Sequence, residues 1–178
     1  ANLAGCSAEE IVITRNTTES LNTVIMGMEF ESGDEVILCD QDYMSMQEQF
    51  QQQGERHGLK LVYIDLPLHP QSDDEIVQRY EKAITAKTRI MLVTHLINIS
   101  GQILPVRKIA DMAHQHGVEV IVDGAHSFAQ LDFNIPDLGA DYFGASLHKW
   151  LCCPLGAGIL YMKKEHIPKI WPLFGDTN

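Results

Sequence analysis

The chain alternates between short runs of apolar, often β-branched residues and longer stretches in which apolar positions recur every three or four residues. Seven of the short runs predict β-strands, because strands of folded domains have this length and composition. The predicted strands are Ile11–Thr14, Glu35–Cys39, Lys60–Ile64, Arg89–Thr94, Glu119–Val122, Tyr142–Ala145 and Gly158–Met162.

The longer stretches predict amphipathic helices between the first five of these strands. The clearest one begins after Pro105 and stops before Gly117, and its apolar face consists of Val106, Ile109, Ala110 and Ala113. The four predicted helices are approximately Thr18–Met28, Met44–His57, Asp74–Ala86 and Val106–His116.

This alternation predicts an α/β fold. Strands that are apolar throughout, and that helices separate, are typical of a parallel sheet buried on both faces. The last two strands are joined only by a loop through Pro154 and Gly156, which is too short for a crossover to a parallel neighbour. We therefore predict a three-layer αβα domain over residues 1–178, with a seven-stranded, mostly parallel sheet whose last strand is antiparallel.

Composition narrows the possible partners. The formal net charge of −11 argues against a nucleic-acid partner, which would favour a clustered basic face. The sequence has neither a run of about 18 apolar residues nor a basic, then apolar, amino terminus, so we predict a soluble, cytoplasmic protein without membrane contact. Cys152 and Cys153 have no second ligand pair at a suitable spacing, which favours packing residues over a metal site.

Polar and ionisable residues follow five of the predicted strands. In open α/β sheets, ligands bind at the carboxyl ends of the strands, so these residues are the first candidates for a site. The five segments are Asn16–Glu19, Asp40–Tyr43, His95–Asn98, Asp123–His126 and Ser146–Lys149.

Several of these residues also have a purely structural explanation. Asn16 to Glu19 matches a helix capping box, and Asp40 to Tyr43 matches an ordinary turn followed by a surface aromatic residue. Asp123 favours function, because a carboxylate at the end of a buried strand must find a partner or shift its pKa. Lys149 lies in an apolar segment, where a lysine either extends to solvent or takes part in chemistry.

Together these residue types match one cofactor. Hydroxyl groups and free N–H groups at the start of a helix suit a phosphate. A lysine amine suits a Schiff base with an aldehyde, and an aspartate suits the protonated nitrogen of a pyridine ring. The combination predicts pyridoxal 5'-phosphate.

The motifs themselves resemble a known family. "VDGAH" is followed, 26 residues after its aspartate, by "SLHK", and "TRNTTESLN", "HLINISGQILPV" and "GADYFGAS" occur in the family's order. The chain resembles the class V aminotransferases of the fold-type I pyridoxal-phosphate enzymes, which include cysteine desulfurases, kynureninases and isopenicillin N epimerase. "SLHKWL" with "PLGAGILY" is most similar to the isopenicillin N epimerase-like branch. The resemblance implies the large cofactor-binding domain, with strand order 1-7-6-5-4-2-3.

The resemblance also implies roles for individual residues. Lys149 would form the Schiff base and then move protons at the substrate α-carbon, and Asp123 would pair with the ring nitrogen. His126 would donate a hydrogen bond to the phenolic oxygen of the ring, Tyr43 would stack on the ring face, and Asn98 would lie near the phenolic oxygen and the substrate.

The phosphate group is expected at four further positions that match the family's pattern. For His148 a packed histidine is the alternative interpretation. The four positions are Thr17, Thr18, Ser146 and His148.

These observations predict a pyridoxal-phosphate enzyme that acts at the α-carbon of a small amino-acid substrate, either an isopenicillin N epimerase-like protein or an aminotransferase. Two alternatives remain open: a cysteine desulfurase or selenocysteine lyase-type enzyme, and a cofactor-binding domain without turnover. A dinucleotide-binding oxidoreductase is disfavoured, because no GxGxxG motif follows the first strand. The resemblance further implies a homodimer, and an N-terminal segment and C-terminal small domain that this chain lacks.

Overall fold

Seven strands form a single sheet in the computed structural model, which describes residues 1–173. Each predicted strand is present, and its bounds agree with the prediction to within one residue. The strands are β1 (Ile11–Thr14), β2 (Glu35–Cys39), β3 (Lys60–Ile64), β4 (Thr88–Thr94), β5 (Glu119–Asp123), β6 (Tyr142–Ser146) and β7 (Gly158–Met162).

The strands lie in the order β1-β7-β6-β5-β4-β2-β3. Strand β7 is antiparallel to both of its neighbours, whereas the pairs from β6 through β3 are all parallel. Both the order and the reversed last strand confirm the prediction. The reversal has a simple cause, because the loop between β6 and β7 can turn the chain back but cannot carry it across the sheet.

Four α-helices connect the parallel strands. They are α1 (Thr17–Gly27), α2 (Met44–His57), α3 (Asp73–Ala83) and α4 (Val106–Gln115).

Helix α3 ends three residues earlier than predicted. Ile84 has an extended conformation, and the next residues form a turn in which Thr85 and Thr88 exchange hydrogen bonds. The Thr88 hydroxyl accepts a hydrogen bond from the backbone N–H of Thr85 and so satisfies that group outside the helix. This local hydrogen bonding competes with helix formation, which explains why the apolar period overestimates the length of α3.

Side chains of the central strands alternate between two apolar layers. In β4, Ile90 and Leu92 pack on the side of α1 and α2, whereas Met91 and Val93 pack on the side of α3 and α4. All four are fully buried. Burial of an aliphatic side chain contributes about 1.5–3 kcal/mol, so both faces of the sheet stabilise the domain. The three-layer αβα prediction is confirmed.

Two glycines bring the start of α1 against the ends of β6 and β7. A Cβ atom at Gly144 would lie 2.7 Å from Leu21 of α1, and one at Gly158 would lie 2.6 Å from the backbone nitrogen of Asn16. Since any side chain at these positions would push the helix away, the glycines fix the first turn of α1 beside the carboxyl end of β6.

Cys152 departs from the packing role predicted for it. Its side chain is exposed, while Cys153 is partly buried, and all four cysteines are free thiols. Cys152 has a φ of 56°. This left-handed turn after β6 carries the side chain outward, and for that reason the prediction was wrong at this position.

Among the helices in the described part of the chain, none combines the length and the apolar character that crossing a membrane requires.

Candidate active site

A cavity of about 220 Å³ lies at the carboxyl ends of the strands. All nine site residues named from the sequence line it, although they come from five separate segments of the chain. They are Thr17, Thr18, Tyr43, Asn98, Asp123, His126, Ser146, His148 and Lys149. The structure therefore brings the candidates together, and their individual roles stay predictions.

One end of the cavity is the amino terminus of α1. Asn16 caps the helix, since its Oδ1 accepts a hydrogen bond of 2.8 Å from the backbone N–H of Glu19. Only this half of the predicted capping box forms, because the Glu19 carboxylate turns back to Arg15 instead. The N–H of Thr18, in the first turn, has no intrahelical acceptor. Free N–H groups and the helix dipole together favour an anion at this point.

Hydroxyl groups add to this anion site. The Ser146 hydroxyl accepts a 2.8 Å hydrogen bond from the N–H of Thr17 and lies 2.8 Å from the Thr17 hydroxyl. Ser146 ends β6, so this contact joins the first helix to the middle of the sheet. The two hydroxyls are buried side by side and can turn their protons toward a bound oxygen atom.

His148 stands next to the same group of residues. Its Nδ1 is 3.2 Å from the carbonyl oxygen of Ala157. A carbonyl can only accept, so Nδ1 carries the proton and Nε2 is the other functional nitrogen of the ring. The side chain is partly buried, and His148 is thus both anchored to the backbone and part of the cavity wall.

Asp123 occupies the floor of the cavity. It ends β5, is 3% exposed, and accepts a hydrogen bond of 2.9 Å from the N–H of Ala125 through Oδ1. Within residues 1–173, no donor reaches its other carboxylate oxygen. Burial raises the pKa of this carboxyl group, and the Ala125 N–H and the charge of Lys149 only partly oppose the rise. A carboxylate with so few donors is suited to receive a cationic partner.

Lys149 faces this carboxylate from the turn after β6. Partial burial lowers the pKa of its amine, while the negative charge of Asp123 acts in the opposite direction. A lowered pKa increases the fraction of neutral amine, which is the nucleophilic form. The lysine that the sequence places in an apolar segment thus lies at the cavity with its amine adjusted toward reactivity.

A histidine in the cavity wall contacts both Lys149 and a tryptophan. The Nε2 atom of His126 is 2.9 Å from the Lys149 Nζ, and the indole N–H of Trp150 donates to His126 Nδ1 over 3.3 Å. An indole only donates, so neutral His126 must carry its own proton on Nε2. Burial and the nearby Lys149 charge both lower the pKa of His126, which favours the neutral ring. Its Nε2 proton can be donated to Lys149 only when that amine is neutral. Trp150 was not predicted, because one aromatic residue in a turn gives no periodic signal.

Tyr43 and Asn98 lie at the rim. Tyr43 directly precedes α2 and is 50% exposed, and Asn98 is exposed in the loop after β4. Both border the cavity, so each has access to a ligand that fills it.

Asp42 and Thr94 form a contact that the sequence did not predict. The Thr94 hydroxyl, in the cavity wall, donates a 2.6 Å hydrogen bond to Asp42, which also accepts from the N–H of Cys39. Burial raises the pKa of Asp42 to about 7, because the bonds from Thr94 and Cys39 do not offset the loss of water and the charges of Asp123 and Asp40. Asp42 therefore forms the expected turn, and is also a buried acid near Asp123. Asp42 lies three residues after the end of β2, in one of the polar segments that follow the predicted strands.

Within residues 1–173, the structure contains no group of three or more His, Cys, Asp or Glu side chains that could hold a metal ion.

Two curated relatives each match nearly the whole chain. A probable cysteine desulfurase of Halalkalibacterium halodurans is 37% identical over 94% of this chain and 41% of the relative. Isopenicillin N epimerase of Streptomyces clavuligerus is 30% identical over 97% of this chain and 43% of the relative. The chain thus spans about two fifths of the length of these curated relatives.

Solved structures give the same fold. A mutant of C-DES, with glycine covalently linked to its PLP cofactor, superposes with a TM-score of 0.93 at 27% identity, over 98% of this chain and 46% of that one. The apo cysteine desulfurase of Thermococcus onnurineus has a TM-score of 0.90 at 31% identity, over 99% of this chain and 44% of that one.

The profile of the class V aminotransferases matches residues 1–178. The strand order, the cavity and these relatives all agree with that match. The chain belongs to the class V aminotransferase family.

Proposed function

We propose that this protein uses pyridoxal 5'-phosphate to labilise a bond at the α-carbon of an amino acid, with Lys149 as the reacting amine. One observation carries the proposal. A lysine amine with a lowered pKa and a buried carboxylate with an unpartnered oxygen share one cavity, whose far end is the amino terminus of a helix. Family membership and the cofactor-bearing structural relative indicate the cofactor.

The residues of the cavity fit the phosphate and the ring nitrogen of this cofactor, and Lys149 fits its aldehyde group. Thr17, Thr18, Ser146 and His148 supply N–H and hydroxyl donors for the phosphate. Asp123 supplies a carboxylate for the ring nitrogen. When bound, the cofactor supplies an aldehyde that condenses with amines and a ring that withdraws electrons from the substrate α-carbon.

The protein's own groups would then divide the remaining work. Lys149 would hold the cofactor through its aldehyde group and would move a proton to or from the substrate α-carbon. His126, whose Nδ1 accepts from Trp150, would offer its Nε2 proton to the phenolic oxygen of the ring. Tyr43 would cover the ring face, and Asn98, at the rim, would lie near the phenolic oxygen and the substrate.

The reaction itself is either epimerisation of the isopenicillin N epimerase type or amino transfer. Both would begin with removal of the α-proton, for which Lys149 is the candidate base, and they differ in where a proton is returned: epimerisation returns one to the opposite face of the α-carbon, and amino transfer does not. A second candidate is cysteine desulfuration. It is favoured because the relative at 37% identity is named a probable cysteine desulfurase, and the solved relatives are a cystine C-S lyase and a cysteine desulfurase. The same Lys149 and Asp123 serve all three reactions.

We further propose that residues 1–178 are the large, cofactor-binding domain of a cytoplasmic homodimer, which acts on a small amino-acid molecule. The agreement of the fold with solved relatives over 98% and 99% of this chain supports the assignment of the domain.

The cofactor claim is tested by trapping. Protein mixed with pyridoxal phosphate should absorb visible light, and borohydride should remove the absorbance and leave a covalent adduct that peptide mass mapping assigns to Lys149. Lys149→Arg keeps the positive charge and should abolish both signals. Lys164→Arg is the matched control, because Lys164 is 73% exposed and lies outside the cavity. An adduct spread evenly over surface lysines, or no adduct, contradicts the proposal.

The reaction type is tested with amino acids in deuterium oxide. Uptake of deuterium at the α-carbon with racemisation identifies an epimerase, and formation of a keto acid identifies an aminotransferase. Alanine formed from cysteine, with sulfur released to an added thiol, identifies a desulfurase. Spectral change without any product identifies a binding domain and contradicts turnover.

A further inference from the structure

A second buried carboxyl group lies behind the predicted partner of the ring nitrogen. Asp42 is 5% exposed and comes just after β2, at the same edge of the sheet as Asp123. Its carboxylate accepts hydrogen bonds from the Thr94 hydroxyl over 2.6 Å and from the Cys39 N–H over 2.7 Å. An acid this deeply buried is costly to keep charged, and nothing in the proposed reaction described so far makes use of it.

Thr94 connects this acid to Asp123. Strands β2, β4 and β5 are neighbours, and Thr94 and Asp123 are partners in the parallel register of β4 and β5. Paired residues on adjacent strands direct their side chains to the same face, and both residues line the cavity. Asp42, Thr94 and Asp123 thus form a row across the carboxyl ends of three adjacent strands.

The electrostatics of this row favour a cation. Burial raises the pKa values of both Asp42 and Asp123, and the charge of Asp123 adds to the rise at Asp42. The other titratable groups that face Asp42 are acids or neutral groups, namely Cys39, Asp40, Tyr63 and Tyr80. With both carboxylates ionised, a positive charge in the cavity relieves their mutual repulsion and is attracted by each.

We propose that Asp42 is a positioning residue for the ring nitrogen of the cofactor: it holds the Thr94 hydroxyl and places a second negative charge behind Asp123, so that the cavity favours a ring protonated at nitrogen. The inference rests on the proposed function. It adds to it a residue that touches neither the cofactor nor the substrate.

A purely structural role is the competing explanation. Asp42 also closes a turn, because its backbone N–H donates to the Cys39 carbonyl oxygen while its side chain accepts from the Cys39 N–H. That turn carries Tyr43 to the rim. If Asp42 only held the turn, its loss would weaken any ligand of the cavity equally, whether or not the ligand has a ring nitrogen.

The test compares pyridoxal 5'-phosphate with its 1-deaza analogue, in which a carbon replaces the ring nitrogen. Dissociation constants for both are measured by equilibrium dialysis at pH 8, above the pKa of Asp42. Asp42→Asn keeps the size and one acceptor of the side chain but removes its charge. We expect it to weaken pyridoxal phosphate binding about three- to tenfold, corresponding to one pKa unit or less, and to change analogue binding less than about twofold.

Two further variants make the result specific. Asp40→Asn removes an equal charge from the same turn, but Asp40 is exposed to solvent and its charge is screened, so both constants should stay within about twofold. Thr94→Val removes the hydroxyl that donates to Asp42, and it should weaken binding of pyridoxal phosphate, but not of the analogue, by a smaller factor than Asp42→Asn does. If circular dichroism shows that Asp42→Asn does not fold, the two dissociation constants of Thr94→Val provide the test instead.

Two results would overturn the inference: equal weakening of both compounds by Asp42→Asn, which means a structural role, and no weakening of either. Failure of the proposed function looks different. A wild-type protein that binds neither compound and forms no adduct on Lys149 refutes the proposed function, and the inference is refuted with it.

Discussion

The two ends of the central strands carry buried aspartates in opposite electrostatic states. Asp123, at the carboxyl end of β5, is 3% exposed, and Asp141, just before the amino end of β6, is 2% exposed. Asp141 accepts hydrogen bonds from the Val120 N–H, His114 Nε2 and Lys163 Nζ at 2.7–2.8 Å. Burial would raise its pKa, yet these donors and His166 hold the pKa well below the ordinary value. The pKa of Asp123 is raised instead.

The amino end continues as a connected network. His166 is 3.2 Å from Glu119 and 3.4 Å from Asp141, and these two carboxylates raise the pKa of His166 to about 9. The pKa of Glu119 falls to about 2 because hydrogen bonds from His166, Lys169 and Tyr142 outweigh its burial.

Two equally buried aspartates therefore have pKa values shifted in opposite directions, because they differ in the number of hydrogen-bond donors that reach them. At the amino end, donors reach both carboxylate oxygens of Asp141, and the network ties the segment after β7 to the sheet. At the carboxyl end, Asp123 has a single donor among the described residues, and a bound cofactor would supply a second. Incomplete pairing of a buried acid, more than burial itself, distinguishes the candidate site from the scaffold.

The comparison is tested most strongly at Asp141. Asp141→Asn removes the charge that faces Lys163, His114 and His166, and replaces one of the two acceptor oxygens with an amide group that cannot accept. Breaking a buried ion pair from one side costs about 3 kcal/mol or more, so we expect a loss of that size in the free energy of unfolding measured in urea. A loss below about 1 kcal/mol would show that the network is not a stabilising one.

The network also predicts a pH dependence. His166 has a pKa of about 9 in the folded protein against 6.5 for the unfolded chain, so the stability it contributes is fully present below pH 6.5 and disappears as the pH rises through 9. Between pH 6.5 and 9.5 we expect the free energy of unfolding to fall by about 3 kcal/mol. His166→Gln should flatten this part of the profile. An unchanged slope in the variant would assign the dependence to other groups.

At the carboxyl end of the strands, Asp123→Asn should change the free energy of unfolding in the opposite direction to Asp141→Asn. Asp123 has a raised pKa, so its ionised form destabilises the fold above that pKa. In cofactor-free protein at pH 8 we expect Asp123→Asn to raise the free energy of unfolding by about 1 kcal/mol while weakening cofactor binding, as is common where a site sacrifices stability. A loss of stability similar to that of Asp141→Asn would remove the distinction between the two ends.

The smallest expected effect is on the tautomer of His126, that is, on which ring nitrogen carries the proton. Trp150→Phe removes the donor to His126 Nδ1 without emptying a buried position, since Trp150 is 48% exposed. Stability should change by less than about 0.5 kcal/mol. Nitrogen-15 chemical shifts should show His126 moving from a single neutral tautomer to a mixture. Identical shifts in wild type and variant would show that Trp150 does not select the tautomer.

Much of this molecule was predictable because its strongest signals are local. The strands form short runs of apolar, often β-branched residues, and most of them are buried on both faces, so β1 to β7 were located to within one residue. Asp123 and Lys149 were identified for the same reason, since each is an ionisable residue at the end of an apolar run. The nine candidate residues meet at one cavity because parallel strands present their carboxyl ends on one edge.

What was not predicted depends on contacts between distant segments. Asp141 lies just before β6 and His166 lies in a short 3-10 helix after β7, so only the pairing of β6 with β7 brings their side chains together. The hydrogen bond between Asp42 and Thr94 likewise depends on β2 lying beside β4. No sequence pattern reports such pairs, because each residue alone resembles an ordinary turn or strand end.

The contact between Thr17 and Ser146 has a consequence for the synthesis of the chain. These residues are 129 positions apart in sequence. At about 5–20 residues per second, the ribosome makes the first helix on the order of ten seconds before its partner in β6. During that time the residues of α1 that finally pack on β6, such as Leu21, lack this strand. The anion site that α1 and β6 share can therefore form only after β6 has been made.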